Sequence, residues 1–302
     1  MQSAPIHVSV LATEVLQWLD PQPGQVLIDG TLGGGGHTRL IAERLASDEN
    51  QGPSTTSADS FVLALDRDPA ALAAAEQNLA GLPIKLAHAN FADFDQILDE
   101  LQIKHVDGML LDLGLSSDQL ADSTRGFSFD ALGELDLRFD ASEGEPASSL
   151  VNRLVERDLA DLIYPFGEER FSRRIARRVV EARRERPITM AAELAAIVRR
   201  CVPRGADRID PATRTFQALR IAVNRELESL EQALQKVPDR LKPGGRFAVI
   251  SFHSLEDRRV KEAFRSDQRL ESLTKKPVRP GEAELQANPR SRSAKLRIAK
   301  RR

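Results

Sequence analysis

The run Val26-Leu27-Ile28-Asp29, followed at once by Gly30-Thr31-Leu32-Gly33-Gly34-Gly35-Gly36-His37, constrains this chain more than any other stretch. Apolar positions lead into an acid, five glycines fall within seven residues, and a helix-compatible run from Thr38 to Ala46 follows. That order reads as buried strand, tight loop and helix. A backbone passing within van der Waals distance of a ligand tolerates no Cβ, and several positions of such a turn require positive φ. The glycines therefore point to a loop that cradles a nucleotide. An ordinary glycine-rich loop is the alternative, and the position directly after a buried strand favours the ligand.

The strands that follow place more polar residues at the same kind of junction. Phe61 to Leu65 ends in Asp66-Arg67-Asp68-Pro69. Asp68 sits where a helix N-cap belongs, with Pro69 at the first helical position and Ala70 to Leu79 behind it. Asp66 is left as the acid at the strand tip, where dinucleotide and nucleoside folds accept hydrogen bonds from ribose hydroxyls. Its separation from the glycine loop exceeds the usual ~20 residues, and the polar stretch Ser47 to Ser60, read as a dispensable surface insertion, accounts for the excess. A third strand, Ile84 to Ala89, runs into Asn90 and Phe91. Phe91 has two readings, cover for an adenine face or simple core packing. A fourth, Val106 to Leu111, ends in Asp112, a charge that is costly at the end of an apolar strand unless it has partners.

Strands alternating with helices imply an α/β fold with a doubly wound, mostly parallel sheet and ligand contacts at the strands' carboxyl ends. The next clear strand, Arg246 to Phe252, is announced only at Leu241-Lys242-Pro243-Gly244-Gly245. One crossover helix, Pro211 to Val237, fits before it, with Phe216, Leu219, Val223, Leu227, Leu230 and Leu234 at spacings of three and four. Residues from about Asp122 to Asp210 are surplus to the sheet. Their periodicity gives helices over Leu150–Val155, Phe171–Ala182 and Met190–Val202, an inserted helical domain. Leu270–Thr274 and Ala294–Ala299 fit an antiparallel pair closing one edge of the sheet. The opening segment is read as a short amphipathic helix with Val15, Leu16 and Leu19, ended by Asp20-Pro21.

Composition excludes several classes. At 302 residues with 41% hydrophobic content the chain holds a real core. The N-terminus lacks a basic, apolar export signal and no apolar run approaches the roughly 18 residues that cross a bilayer. We therefore expect a cytoplasmic protein with no membrane partner. Cys201 is the single cysteine, which rules out an internal disulfide or a cysteine-based zinc site; no metal is evident. The net charge is only −2, yet Phe171 to Arg186 carries seven arginines against two glutamates, and Asn288 to Arg302 carries seven Lys/Arg and no acid. Such runs are either solvated helix faces or surfaces for a polyanion.

Seven ordered strings sharpen the picture: His7-Val8-Ser9-Val10-Leu11; Asp29 through His37; Leu111-Asp112-Leu113-Gly114-Leu115-Ser116-Ser117; Arg125-Gly126-Phe127-Ser128-Phe129; Tyr164-Pro165-Phe166-Gly167-Glu168-Glu169-Arg170; Pro211 through Arg220; and Ser251-Phe252-His253-Ser254-Leu255-Glu256-Asp257-Arg258. With the tail Asn288-Pro289-Arg290-Ser291-Arg292-Ser293, they resemble the bacterial MraW (RsmH) family of 16S ribosomal RNA cytosine-N4 methyltransferases over almost the whole chain. The resemblance implies a class I, Rossmann-like methyltransferase with a mostly parallel seven-stranded sheet and an inserted all-helical domain. Residues 1–121 and 211–302 would form the S-adenosylmethionine-binding domain, and 122–210 the part that recognises RNA. The methyl donor would contact Gly35, Gly36 and His37, Asp66 on the ribose, Phe91 by the adenine, and Asp112 and Gln119 near the methionine part. The acceptor would be a decoding-site cytosine of 16S ribosomal RNA, alone or in a small-subunit particle. Pattern alone fixes no oligomeric state, and a dimer is among those it allows.

Catalytic candidates are Asp112, His253 and Ser254. Many amino-methyltransferases carry an acid or Asn, two prolines and an aromatic after the fourth strand, whereas Asp112-Leu113-Gly114-Leu115 stands here. Asp112 therefore has two readings, a catalytic acceptor or a holder of the donor's amino group. His253 and Ser254 either orient the base or, for His253, fix a turn. Two other functions share parts of the pattern. A dehydrogenase would use the same first half of the sheet, and the Pro-Gly-Gly turn and Asp112 disfavour it. A catalytically silent RNA-binding assembly factor would not need Asp66 and the glycine loop.

Overall fold

The computed structural model describes residues 9–47, 60–128, 133–203 and 210–302. His7, Val8, Phe129 and all but the two ends of the Ser47 to Ser60 insertion lie outside them. By internal packing the chain divides into two compact units, Met1–Ser116 with Glu228–Arg302, and Ser117–Leu227.

The first unit carries seven strands: β1 (Val26–Asp29), β2 (Phe61–Asp66), β3 (Ile84–His88), β4 (Val106–Asp112), β5 (Leu241–Ser251), β6 (Leu270–Ser272) and β7 (Lys295–Arg301). They form one sheet in the order β3-β2-β1-β4-β5-β7-β6. Pairs β3–β2, β2–β1, β1–β4 and β4–β5 are parallel. β7 runs antiparallel to both β5 and β6. The seven-stranded, mostly parallel sheet is thus as expected, including the terminal antiparallel pair.

Side chains alternate across this sheet, and both faces are covered, so the central strands read as nearly continuous apolar runs. Ile28, Leu63, Leu65, Met109, Leu111, Phe247 and Val249 pack in one cluster with Phe94 and Leu98 of α4 (Phe94–Glu100). The same cluster takes Leu230, Ala233, Leu234 and Val237 of α11 (Glu226–Arg240) and Val260 and Phe264 of α12 (Ser254–Ser266). Their neighbours Leu27, Val62, Leu110, Ala248 and Ile250 pack in a second cluster. There they meet Val15 and Leu19 of α1 (Ala12–Leu19) and Ile41, Ala42 and Leu45 of α2 (Gly36–Leu45). Helices on both faces put the order reversal between β1 and β4, and hence a crevice, at the carboxyl ends of those strands.

The second unit is helical: α5 (Ser117–Ala121), α6 (Ala147–Arg153), α7 (Glu156–Gly167), α8 (Ser172–Ala182), α9 (Ala191–Cys201) and α10 (Thr213–Asn224). Its buried side chains include Leu159, Ile163, Ile175, Val179, Leu194, Val198, Phe216 and Leu219. Gly167 lets α7 close on α10, since a Cβ there would stand 2.5 Å from the Arg214 carbonyl oxygen.

The crossover helix expected as one piece from Pro211 to Val237 is two. Arg225 adopts φ 52 and caps α10 through its N–H to Ile221, and α11 starts at Glu226. Asn224 holds the corner, donating to the Leu137 carbonyl (2.7 Å) and accepting from the Phe139 N–H (2.8 Å). The Arg220 guanidinium grips Glu226 with two bonds of 2.8 Å across the break. α10 therefore packs with α6 and α7 in the helical unit, whereas the periodicity had assigned it to the sheet.

Candidate active site

The glycine loop leaves β1 at Asp29, which is fully buried. Its Oδ1 accepts the Thr31 N–H (3.1 Å) and its Oδ2 the Thr38 hydroxyl (2.7 Å), bracing the loop's two ends. The loop is also stitched to both neighbouring strands. The Gly30 N–H donates to Leu110 and the Leu32 N–H to Leu65, each at 2.9 Å. Gly33 (φ 49) and Gly35 (φ 75) supply the left-handed backbone that the turn requires. Gly35 caps α2, and Gly36 is the first residue of that helix. The arrangement sets the positive end of α2 directly after the loop at the carboxyl end of β1, a setting for an anionic or electron-rich group.

Asp66 ends β2. Its Oδ2 accepts the Gly33 N–H (2.8 Å) and its Oδ1 the Asp68 N–H (2.9 Å), so the carboxylate is aimed from both sides. Burial pushes its carboxyl above the usual range, against the pull of those two N–H bonds. Asp68 caps α3 (Pro69–Asn78), accepting from Ala70, as its sequence position indicated. Phe91 follows β3 on a short 3-10 turn capped by Asn90. It packs against the first core cluster while staying partly exposed, so packing holds the side chain in place and part of it remains accessible.

Asp112 ends β4, paired in register with Ile250 of β5. Its N–H donates to the Thr31 hydroxyl at 2.6 Å. Its Oδ2 lies 3.5 Å from His37 Nε2, a long and poorly aligned contact. Both His37 Nε2 and Asp112 Oδ1 are buried without a hydrogen-bond partner. Buried polar atoms are rarely left so, and an oxygen of this kind at the sheet's switch point suits a cationic ligand group such as an ammonium. Asp29, Thr31 and Thr38 were missed as site residues by sequence reasoning. The signal that singled out Asp112, an acid ending an apolar strand, applies equally to Asp29.

His37 titrates against this background. Burial alone would lower it, but the Asp112 carboxylate, then Asp29 and the Val10 carbonyl, outweigh that and raise it. The folded protein thus holds this proton more tightly than the unfolded chain. The stability so gained is complete below the ordinary imidazole value of about 6.5 and is lost as pH rises through the raised one. Urea unfolding over about pH 6 to 9 is expected to show wild type losing stability with rising pH relative to His37→Gln. Parallel curves would mean that the pair carries no charge.

The other candidates fall differently. His253 is the N-cap of α12: its Nδ1 accepts the Glu256 N–H (3.4 Å), and Glu256 Oε2 accepts the N–H groups of Phe252 (2.8 Å) and His253 (3.2 Å). These contacts describe the turn-fixing role. His253 and Ser254 nonetheless follow β5 beside the loop after Asp112, where a Cβ on Gly114 would touch the Phe252 ring at 3.4 Å. Gln119 is buried on α5, which belongs to the second unit.

Glycine loop after β1, acids on the tips of β2 and β4, and sheet order 3-2-1-4-5-7-6 together define a class I S-adenosylmethionine-dependent methyltransferase. The sequence profile of the MraW methylase family matches residues 4–302, and the chain belongs to that family. It is 55% identical to a protein of Rhodopirellula baltica named ribosomal RNA small subunit methyltransferase H, covering 98% of this chain and 91% of the relative. Proteins of the same name from Pelobacter propionicus and a Cyanothece strain are 48% and 50% identical. Each match covers 98% of this chain, and 98% and 95% of the respective relative.

Proposed function

We infer that this protein transfers a methyl group from S-adenosylmethionine to the exocyclic N4 of a decoding-site cytosine in 16S ribosomal RNA, in the cytoplasm. The observation that carries the reading is Asp112, a carboxylate with an open buried oxygen at the tip of β4, beside the β1 glycine loop at the switch point between β1 and β4. Family membership across the whole chain and relatives named for small-subunit ribosomal RNA methylation support the acceptor.

The residues present fit the donor. Gly35 supplies the left-handed turn and Gly36 the first amide of α2, Asp66 an aimed carboxylate for ribose hydroxyls, Phe91 a partly exposed ring for adenine, and Asp112 a carboxylate for the amino-acid portion. When bound, the donor supplies an electrophilic methyl group on a sulfonium. The cytosine N4 lone pair is delocalised into its ring and must be freed as the new bond forms. Asp112, held against the amine hydrogens, would favour that rehybridisation, stabilise the positive charge that develops on N4, and stand where the proton that N4 then loses can be taken up. His253 and Ser254 would orient the base from the β5 tip.

A paired or stacked cytosine cannot reach the methyl group, so the base must be splayed out while the backbone is held electrostatically. We assign that task to the helical unit and the basic tail. On α8, Ile175, Ala176 and Val179 are buried while Arg173, Arg174, Arg177 and Arg178 are exposed. Arg177 and Arg178 lean on Glu156 (3.5 Å) and Glu181 (2.7 Å), exposed pairs of the kind that contribute little to stability and can be exchanged for phosphate. Changing all four to alanine is expected to weaken RNA binding and to flatten its salt slope by about 0.7 per lost phosphate contact. An unchanged slope would make the cluster a solvated helix face. The function itself is tested by mass spectrometry of small-subunit RNA from cells lacking the gene: the N4 methyl group should be missing and should return with the wild-type gene. Its persistence in the deletion overturns the reading.

A further inference from the structure

Leu11 is fully buried, yet it stands in the left-handed region, φ 53 and ψ 35, at the N-cap of α1. A bulky L-residue adopts that conformation only when its surroundings impose it. No side chain of its own segment caps the helix. Instead the Leu11 N–H donates to Glu284 Oε1 at 2.8 Å, a bond spanning 273 positions of sequence. Glu284 lies on α13 (Glu282–Ala287), just before the Asn288–Ser293 motif. The C-terminal segment thus holds the corner at which the N-terminal segment turns into α1.

That corner touches the candidate site. Val10 and Leu11 pack with Ile41 and Ala42 of α2, one turn after His37, and the Val10 carbonyl favours the protonated form of that ring. The ring's Nε2 faces Asp112 Oδ2 at 3.5 Å. The ionisable groups around His37 are Asp112 from β4 and Asp29 from β1. We propose that Glu284 is a positioning residue of the donor site: by accepting the Leu11 N–H it fixes the Val10–Leu11 corner, whose packing on α2 sets His37 against Asp112. The path runs from the Glu284 carboxylate to the Leu11 amide, through the Val10–Leu11 corner packed on α2, and from His37 at the start of that helix to the Asp112 carboxylate. Without an acceptor at 284, the buried amide is left unpaired and the left-handed turn loses its external restraint. The proposal rests on the assignment of the Asp112 pocket to the methyl donor.

Three variants of the full chain separate the possibilities. Glu284→Gln keeps an oxygen that can accept the same N–H, Glu284→Asp keeps the charge but falls a methylene short, and Glu284→Ala removes the acceptor. The readouts are S-adenosylmethionine affinity by calorimetry as a function of pH, and the His37 imidazole titration by NMR in the protein without donor. Glu284→Ala is expected to bind the donor about tenfold more weakly, as for loss of one hydrogen bond to a charged group, with the His37 titration displaced from wild type. Glu284→Gln should restore both to within about threefold of wild-type affinity, and Glu284→Asp should fall between. If Glu284→Ala fails to fold, Glu284→Asp against Glu284→Gln carries the same comparison. Wild-type affinity and an unmoved His37 titration in the Ala or Asp variant overturn the proposal. A wild-type protein that binds no donor overturns the donor-site reading itself.

Discussion

Replacing Asp66 with alanine is expected to weaken S-adenosylmethionine binding about 10- to 100-fold. The carboxylate at the tip of β2 is already aimed, with Gly33 on Oδ2 and Asp68 on Oδ1. Each oxygen retains acceptor capacity for a ribose hydroxyl. Hydrogen bonds to a charged group are worth about 1.5 to 3 kcal/mol, which converts to the stated loss. The ribose is common to the donor and to S-adenosylhomocysteine, so both should lose affinity together. The direction of the Asp66 pKa adds a second signature. Burial raises it, so the charged acceptor is lost at a higher pH than for an exposed carboxylate, and donor affinity should decline with acidification from that point. Calorimetry showing wild-type affinity in Asp66→Ala would sink the assignment.

The parts of this fold that were legible from sequence are those governed by local chemistry. Asp68-Pro69 reads as a cap because a carboxylate two residues before an unpaired amide and a ring with fixed φ act within one turn, and Asp68 does accept from Ala70 at 3.0 Å. The Gly33–Gly36 loop is legible because positive φ selects residue type directly. The break at Arg225 was not, because the apolar spacing runs unchanged through Leu219, Val223 and Leu227, and arginine is no helix breaker. The corner is held by Asn224 reaching Leu137 and Phe139, partners 87 and 85 positions away. Glu284 and Leu11 are invisible for the same reason. Asp29 is a different case. Its alternation and charge were in view, but its role as a brace for Thr31 and Thr38 follows from complete burial, which spacing does not report. Site residues whose partners lie within a few positions can therefore be read off the chain. Those whose orientation depends on another strand cannot.

Asp112→Asn is expected to lower single-turnover methyl transfer by a factor of order 10² or more with donor and RNA both saturating. Asparagine preserves the size of the side chain and leaves the Asp112 N–H free to donate to Thr31 as before, so the tip of β4 should keep its place. What changes is the charge. The carboxylate can accept from an amine hydrogen with full negative charge, and among the described residues its Oδ1 has no hydrogen-bond partner competing for it. An amide could still accept, but it would not gain as charge develops on the cytosine amine, so the loss should fall on the chemical step more than on binding. The His37 contact predicts a companion effect. With the anion gone, the largest influence raising His37 disappears while burial remains, so its imidazole should titrate lower in Asp112→Asn than in wild type. The two effects separate the roles. A variant that binds donor and RNA normally, shows the lowered His37 titration and still transfers within about threefold of wild type would make Asp112 a residue that holds the donor. A hundredfold loss with intact binding places the carboxylate against the reacting amine.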